Sequence, residues 1–481
     1  MKTTVSRIAA SGLRIPKWLV PATALLLLLM QASFFYPGSY IIDSDDQLAQ
    51  AQTGQFNDWH PALMAMFWRL LIQLTGTPAS MFLLQWACYW LGFALIADGL
   101  VRTGRVKTGL AVLALALFPY LQFFNRIMTK DAQLSAALLM AFGLVFWFRV
   151  QQQRVPGPAL AAAGGFMAYA VLVRANGAFA VAPLLLYCVA GQLKFNYKKT
   201  LLACALITGG GLLTSLVVQK YVIQAKQTQP IRSLQLFDLV GIAKNSRDMR
   251  FLAPLGPITQ ANVDNCYTAY WWDSLAPWAG CNKVFSARLM NAEFHAIASD
   301  RDVYPLSSEL SGLWLNAIAA HPLAYLEHRL KLFNSAINFM VPPVARRFGK
   351  YYIVVESQDI REDYLRKSFV TWPVLWLGSA ALVLTALRRK NDGAAADAAK
   401  LLAASSLIYG SAYLVIGVAS EARYMYWSIL ASMLALALSA GAIRLRLKEG
   451  DGASIAALGA VGLILILGFA ARLGDWTFIM S

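Results

Sequence analysis

The chain has 481 residues, of which 58% are hydrophobic and 14% are charged. An average soluble domain is about 25% charged, so this composition excludes a set of ordinary soluble domains. Apolar runs long enough to cross a bilayer recur along the chain and predict an all-α polytopic membrane protein. The formal net charge of +17 is typical of basic loops lying against anionic lipid, and we expect no nucleic-acid partner.

Taken in chain order, the apolar runs predict about eleven spans: 18–37, 78–101, 108–124, 132–148, 157–173, 178–193, 200–219, 369–387, 401–419, 427–443 and 453–471. Alternate connections hold nineteen Lys and Arg residues, against six in the short connections on the other side. The positive-inside rule then places the N-terminus in the cytoplasm and the C-terminus outside. The predicted parts are a membrane module (1–219), an outer domain (220–368) and a second membrane module (369–481).

The first outer connection, residues 38–77, opens with the acidic motif Asp43-Ser-Asp45-Asp46. Three carboxylates within four positions, directly after a span, raise one another's pKa or attract a cation. In a helix over 43–54, Asp43, Asp46 and Gln47 would share one face. The apolar stretch 61–76 is too short for a span, so we predict an interfacial helix on the outer face.

Polar residues also gather at the outer ends of later spans and before the interfacial helix. These segments are Trp59-His60-Pro61, Lys130-Asp131, Arg174-Ala-Asn176 and Glu421-Ala-Arg423-Tyr424. Each has a structural explanation, such as a helix cap at His60 or a local ion pair at Lys130 and Asp131. Ionisable groups at membrane depth are nevertheless costly and usually functional. Their convergence on one boundary therefore predicts a site there.

Residues 220–368 contain no clean span and predict an outer α or α+β domain of about 149 residues. Cys266 and Cys281 both lie in it and are a candidate disulfide in an oxidising compartment. His321 and His328 are too scattered for a metal-ligand motif, so core or surface roles are the simpler interpretation. No Walker P-loop is present in the sequence, which disfavours a nucleotide-driven pump.

Carboxylates beside cations at a membrane boundary fit a reaction with a basic catalyst and an anionic leaving group. A lipid phosphate is the natural candidate, because its chain stays in the bilayer. We predict that Lys130, Arg174 and Arg423 hold the phosphate oxygens. A carboxylate would take the proton of an acceptor hydroxyl.

This order of parts resembles the membrane glycosyltransferases of the GT-C superfamily, which include protein O-mannosyltransferases and the aminoarabinose transferase acting on lipid A. The shared order is one span, an outer loop with an early acidic motif and interfacial helices, many further spans and a large outer domain. The stretch 54–63 also resembles a segment before a His-Pro-Pro-Leu-like element. Here it ends His60-Pro61-Ala62-Leu63, without the second proline.

The resemblance implies a GT-C fold and an inverting transfer from a polyprenyl-phosphate-linked sugar. The acceptor would be an envelope glycolipid, polysaccharide or protein at the outer, periplasmic face of the bacterial inner membrane. Asp43 is the best match to the family's base, with Asp46 as its neighbour. Because the motif departs from a plain Asp-Glu pair, the choice among Asp43, Asp45 and Asp46 stays open.

We further expect a set of acceptor or substrate contacts from Asp45, His60, Asp131, Glu421 and Tyr424. Some members of the superfamily use Mg or Mn and others do not, so a divalent cation stays open. The alternatives are an O-antigen polymerase or ligase, a lipid-linked glycan flippase or small-molecule transporter, and a scaffold for envelope assembly.

Overall fold

The structure is a computed structural model that describes residues 15–189, 197–276, 281, 306–341, 347–348, 351–352, 368–388, 393–474, 476 and 479. Part of the predicted outer domain, including 282–305 and 353–367, lies outside these residues, as do the basic residues of the N-terminal 14 positions. The described fold is helical except for one short antiparallel hairpin, in which β1 (Arg347–Phe348) pairs with β2 (Tyr351–Tyr352).

Helices form wherever the sequence has its apolar runs, and also in the first outer connection. In chain order they are α1 (Leu19–Phe35), α2 (Ile42–Thr53), α3 (Leu63–Thr75), α4 (Ser80–Arg102), α5 (Val106–Leu115), α6 (Pro119–Asn125), α7 (Lys130–Val150), α8 (Gly157–Val173), α9 (Gly177–Val189) and α10 (Tyr197–Val217). The region 220–368, which we call the loop domain, contains α11 (Ile231–Ser246), α12 (Gln260–Cys266), α13 (Leu306–Ala320) and α14 (Pro322–Ala336). The second membrane module contains α15 (Pro373–Ala386), α16 (Ala394–Ile416), α17 (Tyr426–Lys448) and α18 (Gly452–Leu473).

Within the described part of the chain, six helices are long and apolar enough to cross a membrane. They are Ser80–Arg102, Lys130–Val150, Lys198–Val222, Ala394–Ile416, Ala422–Lys448 and Gly452–Leu473. A seventh results if α5 and α6 form one span, although they are bent by 51°. Pro119 begins α6 at this bend, where its missing N–H interrupts helical hydrogen bonding. The other four predicted spans coincide with shorter apolar helices, α1, α8, α9 and α15.

The centre of the first module is the crossing of α4 and α7. A Cβ on Gly143 would lie 2.8 Å from the Gly92 carbonyl oxygen, so the two helices approach to backbone contact there. Small residues commonly allow such crossings in membrane bundles. Trp86 and Trp90 of α4 are fully buried beside it. Nearer the start of α7, which carries Lys130 and Asp131, Gln133 Nε2 donates to Gln85 Oε1 of α4 at 2.8 Å.

Basic helix ends meet at one end of the bundle. Arg149 at the end of α7 donates to the Cys188 carbonyl oxygen in α9 at 2.8 Å. Arg388, after α15, pairs with Asp451 at the start of α18. These ends belong to the connections that the charge pattern predicts to be cytoplasmic.

The loop domain packs α11 against α13 and α14, and its cysteines Cys266 and Cys281 form a disulfide with Cα atoms 5.9 Å apart. At its centre lies what we call the buried histidine network: Asp238, Tyr267, Trp314, His328 and Arg329. Asp238 accepts from Trp314 Nε1 at 2.8 Å and lies 3.1 Å from His328 Nε2, while Arg329 pairs with it. His328 Nδ1 lies 2.8 Å from the Tyr267 hydroxyl. His328 is thus a core residue, which is one of the two roles that the sequence leaves open for it.

Candidate functional site

Five segments meet at the other end of the bundle from the basic helix ends. They are the first turn of α2, the loop before α3, the start of α7, the residues after α8 and the short helical turn Ala422–Met425. They bring together what we call the acid–cation cluster: Asp43, His60, Lys130, Asp131, Arg174 and Arg423.

Asp43 is the centre of the acid–cation cluster. Its Oδ2 lies 2.9 Å from Arg423 Nη1 and 3.5 Å from Lys130 Nζ, and its Oδ1 lies 3.7 Å from His60 Nε2. Its side chain is 24% exposed, whereas those of Arg423 and Lys130 are 10% and 13% exposed. The Asp43 carboxylate therefore lies at the surface-facing side of the cluster, which we call its mouth, and covers two more deeply buried cations.

The first turn of α2 is held in place by Ser44. Its hydroxyl accepts from the Ile41 N–H at 3.3 Å and donates to the Met128 carbonyl oxygen at 2.6 Å. Ser39 and Ile127 form a bridge alongside. Thr129 then caps α7 by accepting from the Ala132 N–H, a common way to satisfy the first turn of a helix. These bonds place Asp43 against Lys130.

His60 lies between Lys130 and Asp43. Its Nδ1 is 2.5 Å from Lys130 Nζ, so Nδ1 is the acceptor and Nε2 carries the proton that points toward Asp43. Burial lowers the pKa of His60 to about 3, and the charge of Lys130 adds to this effect. His60 is therefore neutral at physiological pH.

Burial raises the pKa of the Asp43 carboxyl, but the charges of Lys130 and Arg423 outweigh burial and hold that pKa well below its usual range. Asp43 is consequently ionised. A carboxylate held by two cations is a weak proton acceptor for as long as they stay paired with it.

Asp131 and Arg174 form the deeper half of the acid–cation cluster. Asp131 Oδ1 lies 2.9 Å from Arg174 Nη1, and the Asp131 side chain is only 2% exposed. Arg174 Nη2 donates to the Tyr413 hydroxyl at 2.9 Å, and Asn176 Nδ2 donates to the same oxygen at 2.8 Å. Tyr413 is missing from the sequence prediction because it lies inside the apolar run that forms α16.

Tyr424 lies beside both arginines. The guanidinium carbons of Arg174 and Arg423 lie 4.6 Å and 5.3 Å from the centroid of its ring, and Tyr413 stacks on it at 5.7 Å. The negative face of an aromatic ring stabilises a nearby cation. Glu421 pairs with Arg423 at the rim, where its side chain is 41% exposed. Tyr424 thus keeps two like charges close together.

Asp45 and Asp46, the other acids of the first outer connection, have different surroundings from Asp43. Asp46 accepts from Gln50 Nε2 at 2.8 Å, one turn along α2, and Asp45 is exposed. Gln47, which shares the face of Asp43, is 2% exposed, and its Nε2 has no hydrogen-bond partner among the described residues. Asp43, by contrast, forms ion pairs that join α2 to α7 and to the 422–425 turn.

Among the described residues, no three His, Cys, Asp or Glu side chains lie close enough together to share a metal ion. Asp43 and Asp131 are each paired with cationic side chains instead.

An apolar crevice runs alongside the acid–cation cluster. Two cavities of about 340 and 310 Å³ share Phe67 of α3 and Tyr169 of α8 as lining residues. Gln133 of α7 also lines the second cavity and accepts from the Tyr169 hydroxyl at 3.0 Å. Tyr169 precedes Arg174 by roughly 7.5 Å of helical rise, so the crevice lies close to the cluster along α8.

A comparison with protein-family models, curated proteins and solved structures finds no match to the chain. The class therefore follows from the fold: the chain is a polytopic helical membrane protein. Its acid–cation cluster lies at one end of the bundle beside an apolar crevice.

Proposed function

We propose that the protein is a membrane glycosyltransferase that moves a sugar from a polyprenyl-phosphate-linked donor to an envelope acceptor. The observation that carries this proposal is the meeting of Asp43, Lys130, Arg174 and Arg423 at one end of an apolar bundle. A lipid-linked phosphate needs cations at membrane depth, and the transfer needs a carboxylate beside them.

The arginines supply donors for the phosphate. Arg174 Nε and Arg423 Nη1 are buried and make no hydrogen bond of good geometry with the described residues. Buried donors without a hydrogen bond are costly, and a phosphate oxygen would satisfy Arg174 Nε directly and Arg423 Nη1 once Asp43 no longer contacts it. Lys130, the first residue of α7, adds the favourable N-terminal end of a 21-residue helix.

In the proposed reaction, the hydroxyl oxygen of the acceptor forms a bond to the anomeric carbon of the sugar. The bond between that carbon and the phosphate oxygen breaks, and its electron pair leaves with the polyprenyl phosphate, whose charge the cations stabilise. The hydroxyl proton passes to the Asp43 carboxylate. Attack opposite the leaving group inverts the anomeric configuration.

We also propose how many times the chain crosses the membrane and which side the cluster faces. The four shorter apolar helices complete eleven spans, with the acid–cation cluster and the loop domain on the periplasmic side of a bacterial inner membrane. The contacts of Arg149 and Arg388 at the opposite end support this orientation, because positive residues concentrate in the cytoplasm. The apolar crevice beside Tyr169 supports a lipid-linked substrate, because it offers room for a hydrocarbon chain at bilayer depth.

The test is sugar transfer by the purified protein from a panel of radiolabelled polyprenyl-phosphate sugars to envelope acceptors. Wild-type protein should label an acceptor, and Asp43→Asn should abolish labelling while the protein stays folded. Glu327→Gln is the matched control, since Glu327 is an exposed acid paired with Lys331 outside the acid–cation cluster. Full activity of Asp43→Asn would exclude Asp43 as the base, and assaying Asp46→Asn in parallel tests the second acid of the motif. No transfer from any donor of the panel would refute the function.

A further inference from the structure

We infer that the Asp43 carboxylate occupies the position of an anionic phosphate headgroup in the ligand-free protein, and that the headgroup displaces it from Arg423 and Lys130. The ligand class is a phosphate monoester or diester. The displacement itself is independent of glycosyl transfer; only the later use of Asp43 as a base rests on the proposed function.

The first argument is the position of Asp43 over the cations. A single oxygen, Oδ2, contacts both Arg423 Nη1 and Lys130 Nζ, at 2.9 Å and 3.5 Å. A phosphate oxygen would contact the two groups in the same way. Asp43 is also more exposed than either cation, so a ligand arriving from the mouth meets the carboxylate first.

The second argument is the contrast with Asp131. The Asp131 carboxylate is only 2% exposed, against 24% for Asp43, so Asp131 stays on Arg174 and Asp43 is the carboxylate that a ligand can displace. Besides Asp43, Arg423 contacts the Glu421 carboxylate and the Tyr424 ring. Arg423 therefore stays in place when Asp43 leaves.

The exchange has a consequence for the chemistry. The paired cations hold the pKa of Asp43 well below its usual range. A phosphate that takes over those cations removes this effect, and the carboxylate regains its ordinary basicity. A proton acceptor would thus become available in the acid–cation cluster once the anionic substrate is bound.

The experiment measures binding to the purified full-length protein in detergent by calorimetry. The probes are inorganic phosphate, undecaprenyl phosphate and undecaprenol, which has the same chain without the charge. Wild type is compared with Asp43→Asn and with Glu327→Gln as the matched loss of an exposed acid. Because Asp43→Asn removes the carboxylate that competes with the phosphate for Arg423 and Lys130, undecaprenyl phosphate should bind this variant about tenfold more tightly. Glu327→Gln and the uncharged lipid should show no gain.

Unchanged or weaker binding of undecaprenyl phosphate by Asp43→Asn would overturn the inference. A similar gain with inorganic phosphate would support the exchange and assign it to the phosphate group alone, whereas a gain with the lipid only would add the chain to the recognised ligand. Thermal unfolding is a second readout, because a ligand that binds the folded state more tightly stabilises it more. Undecaprenyl phosphate should therefore raise the Tm of Asp43→Asn more than that of wild type. If Asp43→Asn does not fold, Asp43→Ser takes its place.

The two proposals fail separately. Tighter binding by Asp43→Asn together with no sugar transfer by wild type would retain the displacement and refute the glycosyltransferase. Transfer by wild type without a gain in affinity would retain the glycosyltransferase and refute the displacement.

Discussion

The acid–cation cluster and the buried histidine network contain the same types of side chain, a carboxylate, a histidine and arginine, but differ in access. Asp238 and His328 are 0% exposed and Arg329 is 2% exposed, so the network is closed. Asp43 is 24% exposed at the mouth of the cluster.

The partners of the arginines differ as well. Arg329 is tied to the backbone, since its Nη1 donates to the Gly417 carbonyl oxygen at 2.6 Å and links the loop domain to the segment before α17. Arg423 is tied to the carboxylates of Asp43 and Glu421, both of which reach the surface. A closed network of this kind holds segments together, whereas an accessible one can exchange partners with a ligand. The types of residue are the same in both groups, so the accessible cluster differs from the closed network only in its exposure and in partners that a ligand can replace.

The largest effect should come from Arg174→Ala. This change removes a phosphate donor and unpairs Asp131, and we expect the rate of sugar transfer to fall by about 10²–10³, the loss typical of one transition-state donor. The assay is transfer from the radiolabelled donor at saturating acceptor. Arg250→Ala is the control, since Arg250 is 80% exposed and pairs with Asp248 in the loop domain. Equal losses of transfer rate in the two variants would contradict a specific role of the acid–cation cluster in sugar transfer.

Asp238→Asn should act on stability instead. Removing the charge unpairs the buried Arg329, which typically costs about 3–5 kcal/mol. Thermal unfolding in detergent measures the loss, and the transfer rate per folded molecule should stay at the wild-type level. Asp264→Asn is the control: Asp264 also contacts two cations, Lys244 and Arg247, but at the surface, where such pairs contribute about 1 kcal/mol or less. A lower transfer rate per folded molecule in Asp238→Asn, without loss of stability, would instead make the buried histidine network part of the functional site.

Gly241→Ala tests how tightly the buried histidine network is packed. A Cβ at Gly241 would overlap the His328 ring, so α11 needs a glycine where that ring crosses it. We expect a destabilisation of about 1–3 kcal/mol, typical of overpacking. Gly209→Ala is the matched control within α10, because nothing lies within 4 Å of the position of its Cβ. A neutral result for Gly241→Ala would show that the ring has room to move.

The smallest effect should be on pH dependence. His60 has a pKa of about 3 in the folded protein and near 6.5 when unfolded, so the unfolded state binds more protons between these values. Stability contributed by the neutral His60 is therefore present above pH 6.5 and is lost as pH falls. His60→Gln should lose Tm less steeply than wild type on acidification. Identical slopes for the two proteins would contradict a neutral His60.

The sequence predicts the segments of the site better than their contacts. The charge alternation along the spans places residues 43, 60, 130, 174 and 423 at one boundary, because the end of a span follows from length and polarity alone. The sequence does not predict which of Asp43, Asp45 and Asp46 joins the cluster, since this depends on which face of α2 meets α7. Position 46 faces Gln50 in the structure.

The buried histidine network could not be predicted for a related reason. Asp238 and His328 are 90 residues apart in sequence, and neither stands in a local motif. Tyr413 looks like an ordinary residue of an apolar run, because its hydroxyl acquires a partner only when α16 packs beside the residues after α8. Apolar runs also do not determine the number of membrane-crossing helices, since α9 and α15 are only 13 and 14 residues long.

The ion pair between Asp43 and Arg423 also has a consequence for biogenesis. These residues stand near opposite ends of the chain, and a membrane protein is synthesised and inserted from its N-terminus. Asp43, Lys130 and Arg174 are therefore synthesised long before Arg423 leaves the ribosome. The acid–cation cluster is therefore completed only when α17 is inserted, and a chain that stalls earlier carries an unfinished site.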